Sequence, residues 1–131
     1  MCGHLGLTPQ SVNKFGGYGL RAKSEAEADR LVSDALMLQE LGCFAVVLEK
    51  IPADLAEIVT RKLSIPTIGI GAGAATDGQV LVVQDMLGMN DGFKPKFMRY
   101  FGQIGEAIKS SVKDYVGEVK HQTFPSSEES Y

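Results

Sequence analysis

Short apolar runs alternate with longer amphipathic segments along this chain, a pattern typical of β-α-β units built around a parallel sheet. Four apolar runs are predicted as strands: residues 1–7, 44–48, 67–70 and 79–83. The second run, Phe44–Leu48, is continuously apolar, as expected for a strand covered on both faces, and Glu49 follows it directly. Only a turn at Asp77 and Gly78 is predicted between the glycine-rich end of the third strand and the fourth.

Two helices are predicted between these strands. Ser24 and Glu27 have the spacing of a capping box, and apolar residues then recur at helical spacing until Gly42. The second helix begins at Pro52 and places acidic residues at its start and basic residues at its end. Its inward residues are predicted to be Leu55, Ile58 and Val59.

A third, long helix is predicted from Pro95 to about Lys120. Its apolar stripe would consist of Phe97, Phe101, Ile104, Ile108, Val112, Tyr115 and Val119. Residues 121–131 are polar and lack periodicity, so they are predicted to form a tail over the surface.

Composition and charge limit the possible functions. The 131 residues are 44% hydrophobic and 22% charged, which fits one globular domain. Thirteen basic and sixteen acidic residues give a net charge of −3, too balanced for a nucleic-acid or membrane partner. Cys2 and Cys43 do not make a disulfide framework, and no apolar stretch reaches the roughly eighteen residues of a membrane span. We therefore expect a cytoplasmic protein.

Glu49 is the first candidate site residue, because parallel-sheet enzymes bind ligands beyond the carboxyl ends of their strands. A carboxylate in that position suits proton transfer. An equally open alternative is a surface glutamate paired with Lys50 or Lys62. His4 stands at the corresponding end of the first strand and is expected at the same rim, although a lone histidine is more often structural.

Other motifs give weaker indications. Gly69–Ala74 matches a relaxed dinucleotide fingerprint, but the strand predicted after it replaces the helix that such a site needs. Binding of a phosphorylated ligand by Gly69–Gly73 stays an alternative. Asp85 is a further candidate carboxylate, which could instead cap the loop at Gly88. The two histidines are far apart in sequence, so a zinc site is not expected.

Five ordered runs together resemble the carboxyl-terminal half of the ketopantoate hydroxymethyltransferase family, whose members are also called 3-methyl-2-oxobutanoate hydroxymethyltransferases. These runs are Gly3–Val12, Phe15–Tyr18, Leu48–Glu49, Ile65–Gly73 and Asp77–Val82. The resemblance implies a TIM-type (β/α)8 barrel, of which residues 1–120 would carry strands five to eight. This half-barrel would be followed by the tail of residues 121–131.

The resemblance also implies a reaction. Family members transfer a hydroxymethyl group from 5,10-methylenetetrahydrofolate to 3-methyl-2-oxobutanoate in pantothenate biosynthesis: a base removes the proton alpha to the ketone, and Mg²⁺ stabilises the enolate. Glu49 matches the catalytic glutamate of the family, and His4 matches a histidine that lines the substrate pocket. The Mg²⁺ ligands and a substrate-binding lysine lie on the first four strands of the family barrel, so no metal ligand is expected in this chain.

The chain departs from the family pattern in three places. Gly19–Ala22 replaces the usual Lys-Val-Gln-Gly, Gln84 replaces a histidine, and Lys50 replaces a small residue. A half-barrel also exposes two strand edges and an apolar inner face. We therefore expect the chain alone to be inactive and to form a homo-oligomer or bind a complementary amino-terminal half. A catalytically silent interaction module of this kind is the second hypothesis.

Overall fold

A computed structural model describes residues 1–14, 16–90, 92 and 94–131 and divides the chain into two units, Met1–Leu81 and Val82–Tyr131. Phe15, part of one run of the family resemblance, lies outside the described residues. The first unit contains β1 (Cys2–Gly6), a 3₁₀ turn (Pro9–Ser11), α1 (Glu25–Glu40), β2 (Ala45–Glu49), α2 (Ala53–Lys62), β3 (Thr67–Ile70) and β4 (Gly78–Gln79).

The four strands form one parallel sheet in the order β1-β2-β3-β4, so each strand pairs with the next along the chain. Both helices pack on the same face of the sheet, where Val46 and Leu48 of β2 are fully buried. The helix residues buried in this core are Leu31, Ala35, Leu55, Ala56 and Val59. The predicted α/β class with a parallel sheet is confirmed.

The opposite face of the sheet is more open. Val47 and Glu49 alternate with the buried residues of β2 and are only partly buried, as are Ile68 and Ile70 of β3. The apolar run of the second strand predicted burial on both faces. In the structure, Val46 and Leu48 are buried on the helix face, whereas Val47 and Glu49 on the opposite face are only partly buried. The partly open face is therefore the side of the sheet that lies away from α1 and α2.

α1 begins directly after its predicted cap Ser24, whereas α2 begins at Ala53, one residue after the predicted start at Pro52. The hydroxyl of Ser24 accepts a hydrogen bond from the backbone N–H of Glu27 at 3.3 Å. Pro52 is the N-cap of α2. The inward assignment of Ile58 was wrong, because this side chain is 46% exposed while Ala56 is fully buried. Leu55, Ala56 and Val59 lie on the side of α2 that packs in the core. The prediction chose Ile58 over Ala56 because Ile58 has the larger apolar side chain.

The fourth strand is shorter than predicted. Only Gly78 and Gln79 pair with β3, and the backbone N–H of Val80 still donates to the carbonyl of Gly69. β3 ends at Ile70 and the chain turns away at Gly71, whose φ is 62°, so β3 has no position to pair with residues beyond Val80. The apolar run through residue 83 therefore does not continue as a strand, and Val83 begins a helix.

The second unit contains α3 (Val83–Met86), α4 (Ile104–Lys120) and a 3₁₀ turn (Ser127–Glu129). The long helix begins nine residues after the predicted start at Pro95. The backbone N–H groups of Phe101 and Ile104 donate to the carbonyls of Met86 and Leu87, at 2.7 and 2.9 Å. These longer-range hydrogen bonds keep residues 101–103 out of α4, which begins at Ile104.

The apolar stripe of α4 is half exposed within this unit. Exposure ranges from 43% to 56% for Ile104, Ile108, Val112, Tyr115 and Val119. In the tail, the Phe124 ring meets the Tyr115 ring edge-on, with 5.6 Å between centroids. Among the described residues, no helix is long and apolar enough to cross a bilayer.

Candidate functional site

The site is centred on a pair formed by His4 and Glu49. Parallel pairing places Gly6 opposite Glu49 and His4 opposite Val47, so His4 and Glu49 share the open face of the sheet. Their Nε2 and Oε2 atoms are 2.9 Å apart. The His4 side chain is 34% exposed and the Glu49 side chain 22%. Glu49 is the last residue of β2, whereas His4, predicted at the end of the first strand, lies two residues before the end of β1. The two side chains are in direct contact and partly exposed on the open face of the sheet.

Gly6 allows the end of β1 to approach the end of β2 closely. It has a φ of +90°, and a Cβ atom added here would lie 2.1 Å from the carbonyl oxygen of Glu49. That oxygen instead accepts a hydrogen bond from the backbone N–H of Leu7 at 2.9 Å. The glycine therefore lets the Glu49 carbonyl form a hydrogen bond with the residue that follows β1.

Lys50 makes a contact in this site that the sequence did not predict. It has a left-handed conformation, with a φ of 52°. Its backbone N–H donates to the carbonyl of Ile70 and its carbonyl accepts from the N–H of Arg21, both at 2.9 Å. Its ammonium donates to the carbonyl of Tyr18. The sequence left open an ion pair between Lys50 and Glu49, but the Lys50 side chain instead contacts the glycine-rich loop of residues 16–22.

A cavity of about 400 Å³ opens beside His4. Its lining includes Thr8, Ser11 and Arg21 from the loop after β1, and Glu27 and Arg30 from α1. The Arg21 guanidinium lies 2.5 Å from the Glu27 carboxylate. The cavity therefore has a polar wall in which opposite charges lie together next to the imidazole.

The glycines of Gly69–Ala74 have a packing role. Gly73 has a φ of +81°, and a Cβ atom there would lie 2.4 Å from the Cβ of Ala53, the first residue of α2. Ala72 is fully buried. A strand, β4, and not a helix follows this loop, as predicted. Close approach of the loop to α2 accounts for the glycine at position 73.

Asp77 fixes the start of β3. Its carboxylate accepts hydrogen bonds from the backbone N–H of Thr67 at 2.8 Å and from the Thr67 hydroxyl at 3.0 Å. These hydrogen bonds lower the pKa of Asp77, the backbone one contributing most. Thr67 is fully buried and also contacts the hydroxyl of Thr60 in α2 at 2.8 Å. Asp77 therefore ties the sheet to its helix layer, a role that the turn interpretation of Asp77-Gly78 did not include.

Asp85, the second candidate carboxylate, lies in α3 of the second unit. Its Oδ1 atom accepts a hydrogen bond from the Asn90 side chain at 2.5 Å. The backbone N–H of Gly88 donates to the Asp85 carbonyl at 3.2 Å, so the main chain makes the contact once considered for the side chain. Asp85 helps to shape the turn after α3.

The Mg²⁺ implied by the family resemblance needs several oxygen ligands in near-octahedral geometry. Among the described residues, no three His, Cys, Asp or Glu side chains come together. The His4–Glu49 pair offers one carboxylate, and that carboxylate contacts an imidazole. His4 and Glu49 by themselves do not fit a Mg²⁺ site.

Comparison with known proteins places this geometry in context. Residues 1–127 match the family model described as ketopantoate hydroxymethyltransferase. A protein of Parabacteroides distasonis named 3-methyl-2-oxobutanoate hydroxymethyltransferase is 59% identical over 129 residues, which cover 98% of this chain and 47% of that protein. Proteins with the same name from Porphyromonas gingivalis and Caldicellulosiruptor bescii are 57% and 59% identical over 129 residues.

The chain spans about half the length of the curated relatives it matches, with 98% of its own residues covered. The match reaches from the first strand through α4. It therefore includes both residues of the His4–Glu49 pair and the loop that Lys50 contacts. The chain belongs to the ketopantoate hydroxymethyltransferase family.

Proposed function

We propose that this chain forms the carboxyl-terminal half of an enzyme that transfers a hydroxymethyl group from 5,10-methylenetetrahydrofolate to 3-methyl-2-oxobutanoate, giving ketopantoate. The observation that carries this proposal is the 2.9 Å contact between His4 and Glu49 on the open face of the sheet. A carboxylate at the carboxyl end of one parallel strand, in contact with an imidazole two residues before the end of the neighbouring strand, is suitable for proton transfer on a small acid.

In this proposal Glu49 is the base. One carboxylate oxygen, Oε2, faces the His4 ring nitrogen, which leaves the other oxygen to remove the proton from the carbon alpha to the ketone. The resulting enolate carbon bonds to the methylene carbon of the folate. The carbon–nitrogen bonds of that methylene break, water supplies the hydroxyl oxygen, and tetrahydrofolate leaves with the protons on its two nitrogens. His4 orients the carboxylate and lines the pocket for the keto acid. No step is assigned to Mg²⁺, whose ligands we expect in the other half of the protein.

The proposed architecture is a half-barrel that contributes strands five to eight. A sheet in which each parallel strand pairs with the next, with its helices on one face, has the order of a (β/α)8 barrel. The partly open face would then line the interior of the barrel. Cytoplasmic location and homo-oligomer formation remain expectations from the sequence.

An assay with a separately produced second half tests the function. The partner is the part of the Parabacteroides distasonis relative that precedes its matched half. We expect no folate-dependent ketopantoate formation from this chain alone, and turnover when the two halves are mixed with Mg²⁺. Glu49→Gln should lower kcat by about 10²- to 10⁴-fold, the usual effect of losing an acid–base group.

Glu40→Gln is the matched control, since Glu40 is an exposed carboxylate at the end of α1. It should leave kcat unchanged. Two halves that co-elute without turnover would contradict the proposed activity, and full activity of Glu49→Gln would contradict the role of this carboxylate. Turnover by the chain alone would show that the other half is not required.

A further inference from the structure

We propose that Lys50 is a positioning residue that fastens the glycine-rich loop, defined here as residues 16–22, beside Glu49. No similar role follows from the family pattern, in which this position usually holds a small residue. The effect on catalysis rests on the proposed function, whereas the attachment of the loop does not.

The backbones of Glu49 and Lys50 join three parts of the first unit. Glu49 and Lys50 together bond the end of β1 through Leu7, the end of β3 through Ile70, and the loop through Arg21, each at 2.9 Å. The left-handed conformation of Lys50 is uncommon for a residue with a side chain, and such conformations are concentrated at functional sites. The residue directly after the proposed base therefore hydrogen-bonds the end of the loop, at Arg21, to the sheet.

The side chain of Lys50 adds a second attachment. Its ammonium donates to the Tyr18 carbonyl while its own carbonyl accepts from Arg21, so the segment from Tyr18 to Arg21 is held at both ends by one residue. A hydrogen bond from an ammonium is charge-assisted and stronger than a neutral one. The loop then enters the core at Ala22, which is 6% exposed.

This attachment bears on the cavity beside His4. Arg21 and Ala22 both line the cavity, and Arg21 contacts Glu27 of α1. Releasing Tyr18 should loosen this wall while the backbone bonds that hold Glu49 remain. We therefore expect Lys50 to affect binding of the keto acid more than proton transfer, which would raise KM and leave kcat nearly unchanged.

Hydrogen exchange measured on this chain tests the attachment without an activity assay. The amides of Gly17 and Arg21 are hydrogen-bonded, to Val12 and Lys50, and report on loop order. Lys50→Met, which keeps the length but removes the donor, should accelerate their exchange about tenfold, the effect of losing one charge-assisted hydrogen bond. Lys50→Arg keeps a donor, so the amides of Gly17 and Arg21 should exchange at the same rate in this variant as in the unchanged chain.

Two further variants separate the possible causes. Lys50→Gly accommodates the positive φ and lacks the ammonium, so fast exchange in this variant assigns the effect to the donor. Lys62→Met removes an exposed lysine at the end of α2 and should leave the loop unaffected. Unchanged exchange in Lys50→Met would overturn the proposal. Equal acceleration in β1 and β2 would also overturn it, since that result would indicate general unfolding.

The same variants in the mixed-half assay test the catalytic consequence. Lys50→Met should raise KM for the keto acid about tenfold with kcat within about twofold, matching the loss of one charge-assisted hydrogen bond. An unchanged KM would overturn the catalytic role while the loop attachment stands. If the unchanged halves form no ketopantoate, the proposed function fails, and hydrogen exchange still decides the attachment.

Discussion

Asp77 contributes a pH-dependent term to the stability of the first unit. Hydrogen bonds from Thr67 hold the pKa of Asp77 below its ordinary value of 3.8. Because the folded pKa is below the unfolded one, the stabilisation is present above the ordinary value and is lost as the pH falls through the folded pKa. The fold should therefore depend on this carboxylate at neutral pH and much less in strong acid.

Asp77→Asn tests this dependence. We expect the variant to melt at a lower temperature than the unchanged chain at about pH 6, and the difference to narrow as the pH falls to about 3. Thermal unfolding followed by circular dichroism at several pH values measures it. Asp114→Asn, at an exposed position of α4, is the control and should show no such narrowing. A difference that stays constant over this range would contradict the role of the Asp77 carboxylate.

Sequence reasoning found some of the site residues and missed others for a physical reason. Glu49 and His4 were predicted because both stand near the carboxyl ends of apolar strand runs, and parallel strands bring these ends together. Lys50 and Asp77 act through partners distant along the chain: Lys50 reaches Tyr18, and Asp77 reaches Thr67. No local pattern marks such contacts, because they depend on where the loops settle.

Two glycines of α4 differ in their surroundings, which gives a prediction at the level of the element. A Cβ at Gly105 would lie 2.5 Å from the carbonyl oxygen of Gly88 and 3.1 Å from the Cα of Met89, whereas nothing lies within 4 Å of one at Gly117. Gly117→Ala should raise the free energy of unfolding by about 0.5–1 kcal/mol, by restricting the unfolded chain. Gly105→Ala should lower it by about 1–3 kcal/mol through steric overlap with backbone.

Urea unfolding monitored by circular dichroism measures both changes. The two substitutions are chemically identical and lie in the same helix, so each serves as the control for the other. Opposite signs are expected. Stabilisation by Gly105→Ala would show that the turn after α3 does not pack against α4 as closely as its backbone contact indicates.

The elements predicted correctly are those whose limits depend on local signals. β3 spans the predicted residues, and α1 begins after its Ser24 cap. Two boundaries were wrong because partners elsewhere in the chain decide them. β4 ends early because β3 itself ends at Ile70, and α4 starts late because Phe101 is hydrogen-bonded to Met86. Period and capping predict where an element can form, and pairing with the rest of the chain decides where it ends.

The sheet has outer strand edges and a partly open face that another protein surface could cover. In the part of the chain that the structure describes, β1 and β4 are the outer strands of the order. The face with Val47, Ile68 and Ile70 is only partly buried, while the helix face is closed. Parallel sheets are normally covered on both faces, since their strands are apolar on both. An apolar, partly open face with free strand edges favours association with a second protein surface.

We therefore expect the chain alone to self-associate through this face. Adding the amino-terminal half of a relative should replace this self-association with a complex of the two halves. Val47→Lys places a charge on the partly open face and should weaken both contacts by about tenfold or more, because the ammonium loses its hydration there without a partner. Ile58→Lys is the matched control: Ile58 is also apolar, but it is 46% exposed on α2, and its substitution should leave association unchanged. Sedimentation velocity of each chain, alone and mixed with the other half, measures the effect. A monomeric unchanged chain, or equal behaviour of the two lysine variants, would show that the partly open face is not the surface that associates.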